Sequence, residues 1–270
     1  MKTYKRVLTI AGSDSGGGAG IQADMKAISA NGCFATSAIT AITAQNTLGV
    51  TDIHPIPVAT LKAQIKAVLE DIGSDSVKIG MLHNSETIYA VNEVLEEAKI
   101  TNIVLDPVMV STSGNMLLQE EAIETLKQVL IPKSRVITPN IPEAEILLDK
   151  QIKGQKDLPQ LAQELSEKYQ GVSVLLKAGH LVDDELIDIF YNAETKETIE
   201  LKSKRINSKN THGTGCTLSS AFAAFLAHGL ALNEAASKAK DYISQAITEG
   251  ADFKIGQGHG PVHHFYKFWK

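Results

Sequence analysis

Cysteine is nearly absent. Cys33 and Cys216 are the only two in 270 residues, and they stand far apart. They supply neither a metal-ligand spacing nor a disulfide framework. Aromatic residues make up 5% of the chain, with a single tryptophan. No apolar run approaches the ~20 residues of a membrane span. The apolar stretch from Val7 stops at Gly12, too short for the core of a secretory signal. There is no surplus of basic residues: 26 Lys and Arg face 31 Asp and Glu, a net charge of −5. That argues against a nucleic-acid partner, whose phosphates call for a basic face. Repeats, low-complexity tracts and linkers are missing too. These absences predict a cytoplasmic protein without a membrane partner. With 43% hydrophobic residues to fill a core, residues 1–270 are expected to form a single domain.

What is present is alternation. Short apolar runs at 7–10, 34–43, 50–58, 76–79, 103–105, 136–138 and 172–176 read as strands. Between them, apolar residues recur at helical spacing. Examples are Ile21, Met25 and Ile28; Leu61, Ile65, Val68, Leu69 and Ile72; Ile88, Val91 and Leu95; and Ala122, Leu126, Val129 and Leu130. Asp157 is placed to cap a helix carrying Leu158, Leu161 and Leu165. Stretches 186–191 and 198–201 predict a hairpin, and two late helices follow at 216–228 and 233–248. Strands alternating with helices imply an α/β fold, a central and mainly parallel sheet with helices on both faces. Ligands of such sheets bind beyond the carboxyl ends of the strands.

Several strands run into polar or glycine-bearing loops. The first leads into Gly12-Ser-Asp-Ser-Gly-Gly-Gly-Ala-Gly20. This is not a phosphate-binding P-loop, because Gly18-Ala19 stands where Lys-Ser/Thr is required. Nor is it a dinucleotide fingerprint, because Ile21 replaces the last glycine or alanine. It reads either as a loop admitting a ligand close to the backbone or as a plain connector. The segment Thr211-His-Gly-Thr-Gly-Cys216 opens a helix. Its glycines and the helix dipole suit an anion, with a glycine-rich helix start as the plainer reading. Cys216 in the first helical turn should have a lowered pKa, unless it is simply a small core residue. Cys33 reads as the latter. Asp106, Asn140 and Glu143 follow strands and offer oxygens of the kind Mg²⁺ takes. The plainer alternatives are a turn residue for Asp106 and a helix cap for Asn140 and Glu143. His83, His180, His212, His263 and His264 have no zinc spacing. The aromatic tail at 265–269 is expected to pack on the domain or on a partner subunit.

Together these motifs resemble one family. The run Ala11-Gly-Ser-Asp-Ser-Gly-Gly-Gly-Ala-Gly-Ile-Gln-Ala-Asp24 is similar to the signature of the hydroxymethylpyrimidine/phosphomethylpyrimidine kinases of thiamin biosynthesis. So are Thr43-Ala-Gln-Asn-Thr47, Gly80-Met-Leu82, Asp106-Pro-Val-Met-Val110, Thr138-Pro-Asn140, Thr211-His-Gly-Thr-Gly-Cys-Thr217 and Gly256-Gln-Gly-His-Gly-Pro-Val262. The resemblance spans nearly the whole chain. It implies a ribokinase-like fold, commonly a homodimer, using ATP and Mg²⁺. The implied reaction phosphorylates the hydroxymethyl oxygen of 4-amino-5-hydroxymethyl-2-methylpyrimidine, then phosphorylates that monophosphate.

By the same resemblance, Asp24 and Gln45 are substrate-pocket residues, with Gly12, Met81 and Val108 lining the pocket. Gly213, Thr214 and Gly215 form the anion hole. Cys216 stands where many superfamily members carry a catalytic aspartate. Asp106 and Glu143 are the implied metal positions, and Asn140 and Lys177 the implied nucleotide contacts. One departure stands out, because the usual Lys-Gly-Gly-His is here Lys177-Ala-Gly-His180. If Ala178 occupies a backbone position with positive φ, the loop must differ. The alternatives are a pyridoxine/pyridoxal kinase of the same fold and a non-catalytic pyrimidine-binding protein.

Overall fold

The computed structural model describes residues 2–109, 117–181 and 184–269. Val110, the last residue of the Asp106 motif, lies outside them. In chain order the elements are β1 (Arg6–Asp14), α1 (Gly20–Ala30), β2 (Phe34–Asn46), β3 (Gly49–Pro55), α2 (Val58–Ala67), β4 (Ser76–Ile79), α3 (Ser85–Glu97) and β5 (Ile103–Leu105). Then come α4 (Glu120–Thr125), β6 (Val136–Ile137), α5 (Ile141–Leu148), α6 (Leu158–Lys168), β7 (Ser173–Leu176), β8 (Glu185–Asn192), β9 (Glu197–Lys204), α7 (Thr214–Ala227) and α8 (Leu232–Gly250).

All nine strands join one sheet in the order β3-β2-β1-β4-β5-β6-β7-β8-β9. The ladders from β2 to β7 are parallel. β3, β8 and β9 attach antiparallel at the two edges. The inner strands are buried on both faces, which is why they read as continuous apolar runs rather than alternating ones. One core, with Leu8, Ile10, Ile79 and Leu105, packs under α2, α3, α5 and α6. The opposite core, with Val7, Val104 and Phe222, packs under α1, α7 and α8. The expected α/β architecture is therefore present.

The chain leaves β1 for β2 on one side and returns to β4 on the other. This reversal of direction opens a crevice at the carboxyl ends of β1 and β4.

Local expectations changed in three places. β1 does not stop at Gly12. Its ladder with β2 continues to Asp14 across an irregularity between Ala11 and Ser13, so the loop begins later. β3 ends at Pro55, and Val58 already belongs to α2. Asp157 makes no capping bond: a short 3₁₀ turn, Gln155–Asp157, runs directly into α6, so Asp157 has helical backbone angles (φ −85°, ψ −17°) where a cap needs extended ones. Ala178 keeps a negative φ and is fully buried, so its methyl costs the loop nothing. Among the described residues no helix is long and apolar enough to cross a membrane.

Candidate active site

A cavity of about 610 Å³ lies over the carboxyl ends of β1, β2, β4, β5 and β7. Gly12, Gln45, Met81 and Val108 line one part of it. Asp106, Asn140, Glu143 and Lys177 line another, and Gly213, Thr214, Gly215 and Cys216 line the cavity too, with His212 beside Gln45 and Gly215 beside Asp106 and Lys177. Of the residues expected at the site, Asp24 alone is not on the wall. It lies beneath, with 0% exposure, and not in the pocket as expected. Its carboxylate accepts from Lys78 Nζ at 2.9 Å on both oxygens, from Thr9 Oγ1 at 2.6 Å and from Ser220 Oγ at 2.8 Å. Asp24 therefore ties β1, β4 and α7 together under the floor. Lys78, itself fully buried, borders the cavity in its place. Burial disfavours the Lys78 charge, yet Asp24, with Cys216 and Asp106, holds its pKa above the ordinary value.

The first glycine loop is organised by Asp14, which the motif reading left unassigned. Asp14 is 2% exposed. Its oxygens accept from the amides of Gly16 at 2.8 Å, Gly18 at 3.0 Å and Ala19 at 2.8 Å, and from His212 Nε2 at 2.8 Å. Burial opposes its charge, but His212 and the Ala19 and Gly16 amides hold the carboxyl below the usual range. The glycines here serve packing. A Cβ on Gly18 would collide with the His212 ring, and one on Gly213, at φ +79°, with the Gly18 carbonyl. The two glycine motifs are thus glycine-rich partly because they press on each other.

α7 begins at Thr214, after Gly213 in the left-handed region. The N–H groups of a first helical turn have no partner within the helix, and the dipole favours an anion there. A Cβ on Gly215 would sit 3.3 Å from both Asp106 Oδ2 and Lys177 Nζ, so the helix start meets the charged groups closely. Cys216 departs from its expected ionisation. Burial pushes the thiol up to about 11; Lys78 and the Gly20 amide pull it down, while Asp24 and Asp106 push it further up. Desolvation outweighs the helix start, and the resting side chain is a thiol. Cys33 is buried against α7, the core role expected of it.

Asp106 Oδ1 accepts from Thr138 Oγ1 at 2.9 Å and from Lys177 Nζ at 3.0 Å. Asn140 and Glu143 form a reciprocal cap on α5: Asn140 Oδ1 accepts from the Glu143 amide at 2.9 Å, and Glu143 Oε2 from the Asn140 amide at 2.8 Å. The plainer reading of this pair is therefore present, on residues that also face the cavity. Burial pushes the Glu143 carboxyl up to about 7, with Lys177 opposing and Asp106 reinforcing. Among the described residues no cluster of three or more His, Cys, Asp or Glu could hold a metal ion. The Lys177 loop is pinned from outside, because Asp188 accepts from the Ala178 amide and from Lys240 Nζ, both at 2.7 Å. Sequence reading missed Lys78 and Asp188. Each is a charged residue inside an apolar strand, a signal that a buried partner exists.

A helix start open to anions, carboxylates and a lysine at neighbouring strand ends, and this strand order define a ribokinase-like small-molecule kinase. Residues 14–263 match the phosphomethylpyrimidine kinase family, and the chain belongs to that family. It is 48% identical to the hydroxymethylpyrimidine/phosphomethylpyrimidine kinase of Haemophilus influenzae, over 98% of each chain. Among solved structures, the ADP complex of Bacillus subtilis pyridoxal kinase superposes with a TM-score of 0.88 at 35% identity, covering 97% of this chain and 98% of that one. The phosphomethylpyrimidine kinase of Clostridium difficile superposes with a TM-score of 0.78 at 43% identity, covering 90% of this chain and 99% of that one.

Proposed function

We propose that the protein transfers the γ-phosphoryl group of ATP to the hydroxymethyl oxygen of 4-amino-5-hydroxymethyl-2-methylpyrimidine, and then phosphorylates the monophosphate to the diphosphate. One observation carries the reading: the α7 start bridges two parts of one cavity, meeting Gln45 through His212 at 3.4 Å and Asp106 and Lys177 through Gly215. Phosphoryl transfer needs that division, with the acceptor on one side, the donor on the other and charge stabilisation between them. Amides of Gly213, Thr214, Gly215 and Cys216 face the phosphoryl group in flight, that of Thr214 leaving its long 3.3 Å bond to the Thr211 carbonyl. Lys177 and Asn140 contact the nucleotide phosphates.

Asp106 and Glu143 suit Mg²⁺, which keeps waters and phosphate oxygens among its ligands and so needs only one or two carboxylates. A cation there offsets the repulsion that helps raise the Glu143 carboxyl. Bound, the metal supplies charge neutralisation to the phosphates. Cys216, as its thiolate, accepts the proton of the alcohol in the first step. The monophosphate, with a second pKa near ~6, needs no such base.

The enzyme works as a single domain in the cytoplasm. It pairs as a homodimer, for which the exposed Phe34, Ile42 and Leu48 of the β2–β3 edge offer apolar surface.

The test is ADP release from Mg-ATP with the pyrimidine alcohol, its monophosphate and pyridoxal in separate reactions. Turnover of both pyrimidines is expected, and absence of both sinks the reading. Pyridoxal is the second reading, because pyridoxal kinases superpose on this chain as well as they do.

A further inference from the structure

Gln45 is held from both ends. Its amide donates to Ser15 Oγ at 2.8 Å, and its carbonyl accepts from the same hydroxyl at 2.7 Å. The β2–β3 register shifts between Ala44 and Gln45, a bulge of the kind that re-aims a side chain, and Gln45 lines the cavity. Its carboxamide lies between Thr43 and His212. Oε1 is 3.1 Å from Thr43 Oγ1, and Nε2 is 3.4 Å from His212 Nε2.

The protons available there decide what each neighbour offers. Thr43 has one hydroxyl proton. It is committed at 2.8 Å to the Ser13 carbonyl, which can only accept. Toward Gln45, Thr43 therefore presents lone pairs. His212 Nε2 is 2.8 Å from Asp14 Oδ2, a carboxylate oxygen that also takes the Gly18 and Ala19 amides. An ionised carboxylate only accepts, so His212 Nε2 carries hydrogen whether the ring is neutral or charged. That hydrogen is directed at Asp14, so toward Gln45 His212 Nε2 presents no lone pair and at most a share of the same hydrogen. An amide oxygen facing Thr43 and an amide nitrogen facing His212 are two mismatches. A half-turn of the carboxamide about its last torsion exchanges its O and N positions, makes the Thr43 contact a hydrogen bond, and places the oxygen rather than an N–H against the His212 hydrogen that Asp14 holds.

We propose that Asp14, acting through the protonation of His212, holds the Gln45 carboxamide with its oxygen toward His212 and its nitrogen toward Thr43, and so sets the polarity of the ligand edge that the pocket accepts. The spare amide hydrogen then meets a ligand acceptor on the Thr43 side. The spare lone pair meets a ligand donor on the His212 side. An aminopyrimidine, with an exocyclic amine beside a ring nitrogen, fits in one orientation only. Asp14 is a positioning residue, and the inference rests on Gln45 reading the substrate edge in the proposed reaction.

The first test needs neither variant nor ligand. In the full-length protein labelled with ¹⁵N-histidine, NMR should show His212 protonated at Nε2. Protonation at Nδ1 alone overturns the proposal. The second test is a double-mutant cycle of Asp14→Asn and Gln45→Met on the pyrimidine alcohol. Asp14→Asn should raise KM on the order of tenfold, the scale of one bidentate pair, while kcat stays within about twofold. In the Gln45→Met background the same change should leave KM nearly unaltered, because no carboxamide remains to be oriented. Equal losses in both backgrounds make Asp14 merely structural and also overturn the proposal. If Asp14→Asn does not fold, Thr43→Val probes the other anchor in the same cycle. A wild-type protein that turns over no pyrimidine fails the functional reading instead, while NMR still judges the His212 proton.

Discussion

Cys216 is a thiol at neutral pH, because burial holds its pKa up to about 11. In the proposed base role, the thiolate is then a minor species whose share grows with pH. The kcat/KM of the first phosphorylation should therefore rise with pH through the neutral and alkaline range, while that of the second is much less sensitive. Cys216→Asp should move the rising limb to the acid side and flatten the profile above neutrality, since a carboxylate is already ionised there. A flat wild-type profile for the alcohol, with chemistry rate-limiting, removes the base role. Lys78 poses a different question at the same scale. Both partners of its pair with Asp24 are fully buried. Lys78→Met leaves Asp24 uncompensated and should cost about 3–5 kcal/mol in urea unfolding. Adding Asp24→Asn should recover much of that loss. Additive losses would show that the two charges do not depend on each other.

At the scale of elements, the cap of α5 also faces the cavity. Glu143→Gln keeps the cap, because Gln also serves at that position, but removes the carboxylate. Turnover at saturating Mg²⁺ should fall well below wild type while pyrimidine affinity holds, and an unchanged kcat takes Glu143 out of the mechanism. The C-terminal segment offers a pH test. His264 Nε2 lies 2.9 Å from Thr217 Oγ1 of α7, and the Tyr242 hydroxyl of α8 donates to the His264 carbonyl at 2.8 Å. Burial, helped by Lys26 and His263, pushes His264 down to about 3. A folded-state pKa below the unfolded value means stability is complete above ~6.5 and is lost as pH falls toward 3. The slope from this one group is at most about 1.4 kcal/mol per pH unit. His264→Gln, which keeps an acceptor for Thr217, should flatten the fall of the urea midpoint across that window.

For the whole molecule, ligand and fold are linked by mass action. The pyrimidine alcohol at 100 times its Kd should stabilise the protein by about 2.7 kcal/mol, read as a thermal shift. Pyridoxal at the same concentration should shift it less if the Gln45 edge sets specificity, and an equal shift favours the pyridoxal reading. Much of this architecture is legible from the chain. The alternation of apolar runs with helical stripes foretells the parallel sheet, because strands covered on both faces must be apolar throughout. Edges are harder to read. The β1 end, the β3 end and the Asp157 turn differ from the local pattern because each depends on pairing or backbone angles set by neighbours, not on local propensity.

The sequence by itself determined the α/β class, the family and a set of site residues that, Asp24 apart, all stand on the cavity wall. Those follow from local pattern and from motifs whose residue types the chemistry requires. Only the tertiary structure decided what those residues do to one another. Asp24 went beneath the floor because Lys78, 54 positions away, needed a buried counter-charge. Asp14 became the anchor of both glycine motifs through His212, 198 positions away. Cys216 kept its proton because desolvation depends on everything packed around a group, whereas the helix start that argued otherwise is a local feature.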